Sequence, residues 1–143
     1  MSAIRNIDGP KDFIFRVLSG VAIGIVAGLI LNAILGEIFK YLMQYHPIFK
    51  TLLGVVQAIQ FTVPALIGAL IAMNFNLTPL AITVVASASY VGSGAAQFKN
   101  GVWVIAGIGD LINTMFTAAI AVLFILLIEE RVGSMALIVF QQL

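Results

Sequence analysis

Five polar side chains set in strongly apolar surroundings, Gln60, Ser93, Gln97, Asp110 and Asn113, carry the chemistry this sequence offers. Gln60 shares the apolar run 51–73 with Gln57, Thr62 and Pro64, and a proline inside such a run removes a helix hydrogen bond and kinks the segment. Two amides one turn apart beside a kink both donate to and accept from hydroxyl groups, which suits a neutral polyol or sugar better than an ion. The same amides serve as hydrogen-bond partners between neighbouring helices, at roughly 0.6 kcal/mol per bond. The other four residues lie in YVGSGAAQFKNGVWVIAGIGDLIN, 90–113, where glycines, one serine, amides, one lysine and one aspartate interrupt two apolar runs. Asp110 stands where a helix N-cap belongs, able to accept the first free N–H groups at the positive helix end. It is equally the lone ionisable group that marks a cargo or proton site within a membrane sequence.

Such residues need elements to hold them, and composition says in what solvent. Of 143 residues 62% are hydrophobic and 9% charged, with a mean hydropathy of +1.14, beyond what a water-soluble domain of this size tolerates. The chain is an integral membrane protein. In hydrocarbon every backbone N–H and C=O needs an internal partner, so a broken glycine-rich segment is tolerated only when buried in protein or lining a watery cavity. Stretch 90–113 therefore reads as the place where a transporter would hold its cargo.

Several chemistries are excluded. Net charge is +1, without a basic stripe to follow phosphates, so nucleic acid is not a partner. The absence of cysteine and the single histidine, His46, leave no disulfide framework, no thiolate nucleophile and no histidine-pair metal site. A phosphate loop of the GxxxxGK[ST] type is missing, and Gly92-Ser93-Gly94 alone is too short to be a dinucleotide fingerprint. The expectation is a protein that is not an enzyme and that needs no cofactor.

Hydrophobic runs predict an all-α, polytopic membrane protein of about four transmembrane helices, with a broken or re-entrant segment between the third and fourth. A polar tail, 1–11, ends at Gly9-Pro10. Span one covers 13–35 and carries Gly20, Gly24 and Gly28 on one face, continued by Asn32 and Gly36, a row suited to close helix packing. Asn32 reads as bonded to a neighbouring backbone. An amphipathic interfacial helix is expected over 36–50, ended by His46-Pro47, and span two over 51–73. Run 80–91 is about 18 Å long as a helix, too short for a bilayer core of about 30 Å. The last span runs over 111–128, and 132–143 reads as the start of an unfinished span. With four spans Arg5, Lys11, Arg16 and Arg131 share one side and Lys40, Lys50 and Lys99 the other, which favours a cytoplasmic N-terminus.

Three runs, NAILGEIFKYL at 32–42, AIQFTVPALIGALIA at 58–72 and ASYVGSGAAQFKNGVWVIAGIGDLINTM at 88–115, resemble bacterial membrane proteins classed with the IIC components of the sugar phosphotransferase system, the EIIC type 2 group. The resemblance covers nearly the whole chain, which looks like the N-terminal half of such a protein, a single transmembrane domain over 1–143. It implies a multi-pass permease subunit in the bacterial plasma membrane for a small polar solute, with soluble IIA and IIB phosphocarriers as partners that carry any phosphotransfer. A homo-oligomer or a second half would complete it. The buried histidine or glutamate described near the sugar in studied IIC components has no counterpart within a span here. A non-transporting regulator or scaffold, whose glycine row docks another protein, and a truncated inactive remnant are the other readings.

Overall fold

Gly9-Pro10 starts the first helix, because a proline in the opening turn loses no hydrogen bond there and its fixed φ is already helical. The computed structural model describes residues 7–142, with side chains through Arg131. Helix α1 (Pro10–Ile25) continues through a π turn (Val26–Ile30) into α2 (Leu31–Leu42). Together they make one rod of 33 residues, about 50 Å long. After a turn come α3 (Ile48–Gln60) and α4 (Val63–Asn74), bent by 47° at the break before Pro64. Helix α5 (Pro79–Gly92) starts at Thr78, whose hydroxyl oxygen accepts from the Ala81 N–H at 3.3 Å. Two short strands, β1 (Ala96–Lys99) and β2 (Val102–Ile105), precede α6 (Leu111–Gln142).

The glycine row of α1 decides the packing. A methyl group at Gly20 would sit 2.7 Å from the Ile71 Cα, one at Gly24 would overlap Ile67, and one at Gly28 would overlap Val63. Each step of four residues along α1 is matched by four backwards along α4, so the two helices run antiparallel with backbones in near contact. Lipid supplies no hydrophobic drive between helices, and this closeness provides the dispersion contact that holds them together. Gly68 on α4 takes Ser89 of α5 in the same way, and Gly92 takes Thr117 of α6. Val63, Ile67, Ile71, Val85, Ala118, Val122 and Leu126 form the resulting core. Gly20, Gly24 and Gly28 are thus filled by the chain's own α4, as close helix packing requires.

A polar cluster ties the start of α1 to the end of α4. Arg16 pairs with Asp12 at 3.0 Å, donates to the Asn74 carbonyl at 3.3 Å and lies 5.7 Å from the Phe75 ring centre. Asn74 returns a bond from its amide to the Arg16 carbonyl at 2.9 Å.

Among the described residues two helices, Pro10–Leu42 and Leu111–Arg131, are long and apolar enough to cross a membrane, and α3 with α4 make a third if the bent pair counts as one. Helix α5, with 14 residues and about 21 Å, is shorter. The expected four spans thus stand at two or three plus this partial one. Other boundaries change too. Segment 36–42 continues the first helix rather than forming a separate interfacial one, because no breaker precedes the turn at 43–47 and Gly36 keeps its place in the glycine row against Leu53. Val132-Gly133-Ser134 does not begin a new span, since the α6 backbone runs through it unbroken. Of the polar tail, residues 1–6 lie outside the described residues.

Replacing Gly24 by valine should force α1 off α4 and cost about 1–3 kcal/mol, the usual penalty for overpacking. Gly54→Ala, where a methyl group meets nothing within 4 Å, should be neutral or stabilising by about 0.5–1 kcal/mol. Unfolding in mixed micelles followed by circular dichroism compares the two.

Candidate functional site

Helix α5 stops at Gly92 and α6 starts at Leu111, and the two ends meet through Ser93. The Ser93 N–H continues the helical pattern to the Ser89 carbonyl at 3.0 Å. Its hydroxyl donates to the Tyr90 carbonyl at 2.7 Å and accepts from the Ala95 N–H at 3.1 Å. Its carbonyl accepts from the Asp110 N–H at 2.8 Å. Just outside, the Ala106 N–H donates to the Ala95 carbonyl at 2.7 Å, closing the neck of the excursion. Gly109 has φ +83 and lies so close to Ser93 that a Cβ there would strike its side chain; only glycine satisfies both demands.

Asp110 is the N-cap of α6. One carboxylate oxygen, Oδ1, accepts from the N–H groups of Ile112 at 2.8 Å and Asn113 at 3.2 Å. Its carbonyl takes both the N–H and the hydroxyl of Thr114, at 2.9 and 2.7 Å. The Asp110 side chain thus satisfies two of the N–H groups that the first turn of α6 leaves free. The second oxygen, Oδ2, and the exposed amide of Asn113 on the first turn of α6 are not used by these bonds.

Between neck and cap the broken segment expected between the third and fourth spans is a β-hairpin, so the chain is not purely α. Asn100 and Gly101 have φ of 52° and 78°, the two positive values a type I′ turn requires. Ala96 pairs with Ile105, Gln97 with Val104, Phe98 with Trp103 and Lys99 with Val102. Phe98 and Trp103, whose ring centres lie 5.4 Å apart, are both 61% exposed. The signal was present in the sequence: an Asn-Gly dipeptide between two four-residue runs is the strongest short-range hairpin pattern.

The structure therefore brings Ser93, Asp110 and Asn113 together and holds Gln97 nearby, its amide donating to the Gly94 carbonyl at 3.2 Å. Gln60 stands apart at the end of α3, half buried, and among the described residues no hydrogen bond joins it to the other four. Ser93 is buried with its hydroxyl committed to backbone, so it shapes the junction. Thr114 and Ser89, both buried polar residues that the sequence reading passed over, bond to carbonyls of their own helices. Asn32 does the same, donating to the Gly28 carbonyl at 2.7 Å. Among the described residues an apolar cleft of about 570 Å³ lies between the start of α1 and α6, lined by Pro10, Phe13, Leu123 and Leu127.

Apolar helices long enough to cross a membrane, close-packed through glycines, define a helical membrane protein. The family model described as Phosphotransferase system, EIIC matches residues 15–142, and the chain belongs to that family. Domains of this family are membrane transport subunits. No curated protein and no solved structure matches the chain.

Asp110→Ala should lower stability by about 0.5–2 kcal/mol through loss of the cap. Asp110→Asn, which keeps an acceptor oxygen, should stay within a few tenths of the parent. Melting temperatures of the purified proteins in one detergent measure the difference.

Proposed function

We propose that the chain is a permease subunit of phosphotransferase-system type, passing a small polar solute, a sugar, through the bacterial plasma membrane as a multi-pass protein. Soluble IIA and IIB phosphocarriers are its proposed partners. Family membership supports the transport role, and the α5–α6 junction is the observation that carries the site. The Asp12–Arg16–Asn74 cluster lies at the end of the bundle where α5 begins, a natural water boundary. From there α5 reaches about 20 Å before it stops, which is past the middle of a core about 30 Å thick. Paired half-helix ends at such depth are where transporters place polar groups against cargo. Gln97, Asp110 and Asn113 supply amides and one acid at the junction, with Ser93 fixing their support, while Gln60 lies apart from them at the end of α3. Amide donors and acceptors suit hydroxyl groups, and a single carboxylate adds one strong acceptor. The hairpin, with Phe98 and Trp103 exposed, favours as second reading a regulatory or scaffold subunit that binds another protein there.

A panel of sugars added to the purified protein tests the proposal, because a ligand that binds only the native state raises the unfolding temperature. We expect one sugar to raise it in the parent and to lose that effect in Asn113→Ala and Asp110→Asn. A response to amines or ions with none to sugars would refute the carbohydrate reading.

A further inference from the structure

Helices α2 and α3 pack on each other and on the π turn, whereas α1, α4, α5 and α6 pack together as the core. Inside the α2–α3 pair, Gly36 meets Leu53, Phe39 stacks on Phe49 with ring centres 6.3 Å apart, and Val56 is buried. The pair is thus an arm with its own contacts. Its two connections to the core are the π turn Val26–Ile30 and the break at Phe61-Thr62.

Both connections are irregular, and they lie side by side. In the π turn the Leu31 N–H reaches back five residues to the Val26 carbonyl, which widens the ladder by one residue. The Gly28 carbonyl takes the Asn32 side-chain amide instead of relying on the backbone alone. At the other connection Phe61 and Thr62 make tight bonds to residues three back, at 3.1 and 3.0 Å. Pro64 has no N–H to give to the Gln60 carbonyl. The two irregularities meet where a Cβ on Gly28 would overlap Val63. A continuous helix on either strand would stiffen the joint; here each ladder is interrupted at one level.

We infer that this level is a hinge, about which the α2–α3 arm turns as a rigid body against the four-helix core. Hinges of this kind sit at the ends of elements, where a few residues absorb the change in φ and ψ while the packed bodies on either side move intact. The 47° bend between α3 and α4 is one position of the arm; the Asn32 amide adds a bond to the Gly28 carbonyl and the Thr62 hydroxyl one to the Ile59 carbonyl at 2.7 Å, while the Gln60 carbonyl faces a proline that has no N–H to give. The inference is independent of which solute, if any, is carried.

Because the chain has no cysteine, pairs of spin labels can be placed without removing any residue first. Gln44→Cys with Leu80→Cys reports arm against core, and Leu80→Cys with Ile112→Cys reports core against core, in lipid nanodiscs with labelled protein diluted in unlabelled protein. Pulsed electron–electron distance measurement should give a broader or split distribution for the first pair than for the second. Pro64→Ala, and separately deletion of Ala27 to remove the extra residue of the π turn, should each narrow it. Equal widths for the two unmodified pairs would overturn the hinge. A broad arm distribution that neither change narrows would remove it from this level.

Discussion

The constraint on which the rest depends is that backbone N–H and C=O groups in hydrocarbon have no water to turn to. Several places where this chain leaves a regular helix carry a side-chain bond to backbone. Asn32 donates to the Gly28 carbonyl within the π turn, the Thr62 hydroxyl to the Ile59 carbonyl beside the proline break, and Ser93 serves both sides of the hairpin neck. Asp110 takes two of the free N–H groups at the start of α6. Polar residues in this chain are first of all instruments for ending helices where lipid would forbid it. Function can use only the polar atoms that remain.

A second consequence concerns which parts move together. Close contact through Gly20, Gly24 and Gly28 against Ile71, Ile67 and Val63 leaves no room for sliding between α1 and α4, since the interface is backbone against side-chain root. Contact through Gly68 to Ser89 and Gly92 to Thr117 extends the same rigidity across α5 and α6. Past Gly28 the row continues to Asn32 and Gly36, but the neighbour is now α3, with a looser contact of 3.8 Å from Gly36 to Leu53. The change of partner along one straight glycine row coincides with the change from core to arm. One sequence periodicity thus serves two bodies.

Much of this was legible because it rests on periodicity and on breakers. The glycine row, the kink at Pro64, the short α5 and the cap at Asp110 follow from local rules and stand where the sequence placed them. The boundary at 36–42 was misjudged because Glu37 and Lys40 look like interface residues, whereas they form a surface pair at 3.1 Å on a helix that simply continues. Over residues 96–105 turn chemistry outweighs apolar content, because Asn100-Gly101 specifies the turn and Phe98 faces Trp103 across it. The π turn could not be read at all, since 26–30 is an ordinary helix-forming run and its irregularity comes from packing against α4. Of the site residues, Asp110 and Asn113 were placed together by the helix they start, while the separation of Gln60 is a tertiary fact with no local trace.

What the junction can hold follows from subtraction. The Ser93 hydroxyl, one Asp110 oxygen and the Gln97 amide are each engaged by backbone, leaving the other Asp110 oxygen, the Asn113 side chain and the Gln97 carbonyl to face outward. That set is acceptor-rich. In the transport role proposed above it would suit a solute with several hydroxyl donors, because hydroxyl groups give to carboxylate and amide oxygens and accept from the Asn113 N–H pair. The acid that caps a helix is thereby also the strongest acceptor at the junction, and its role in folding fixes where that acceptor stands.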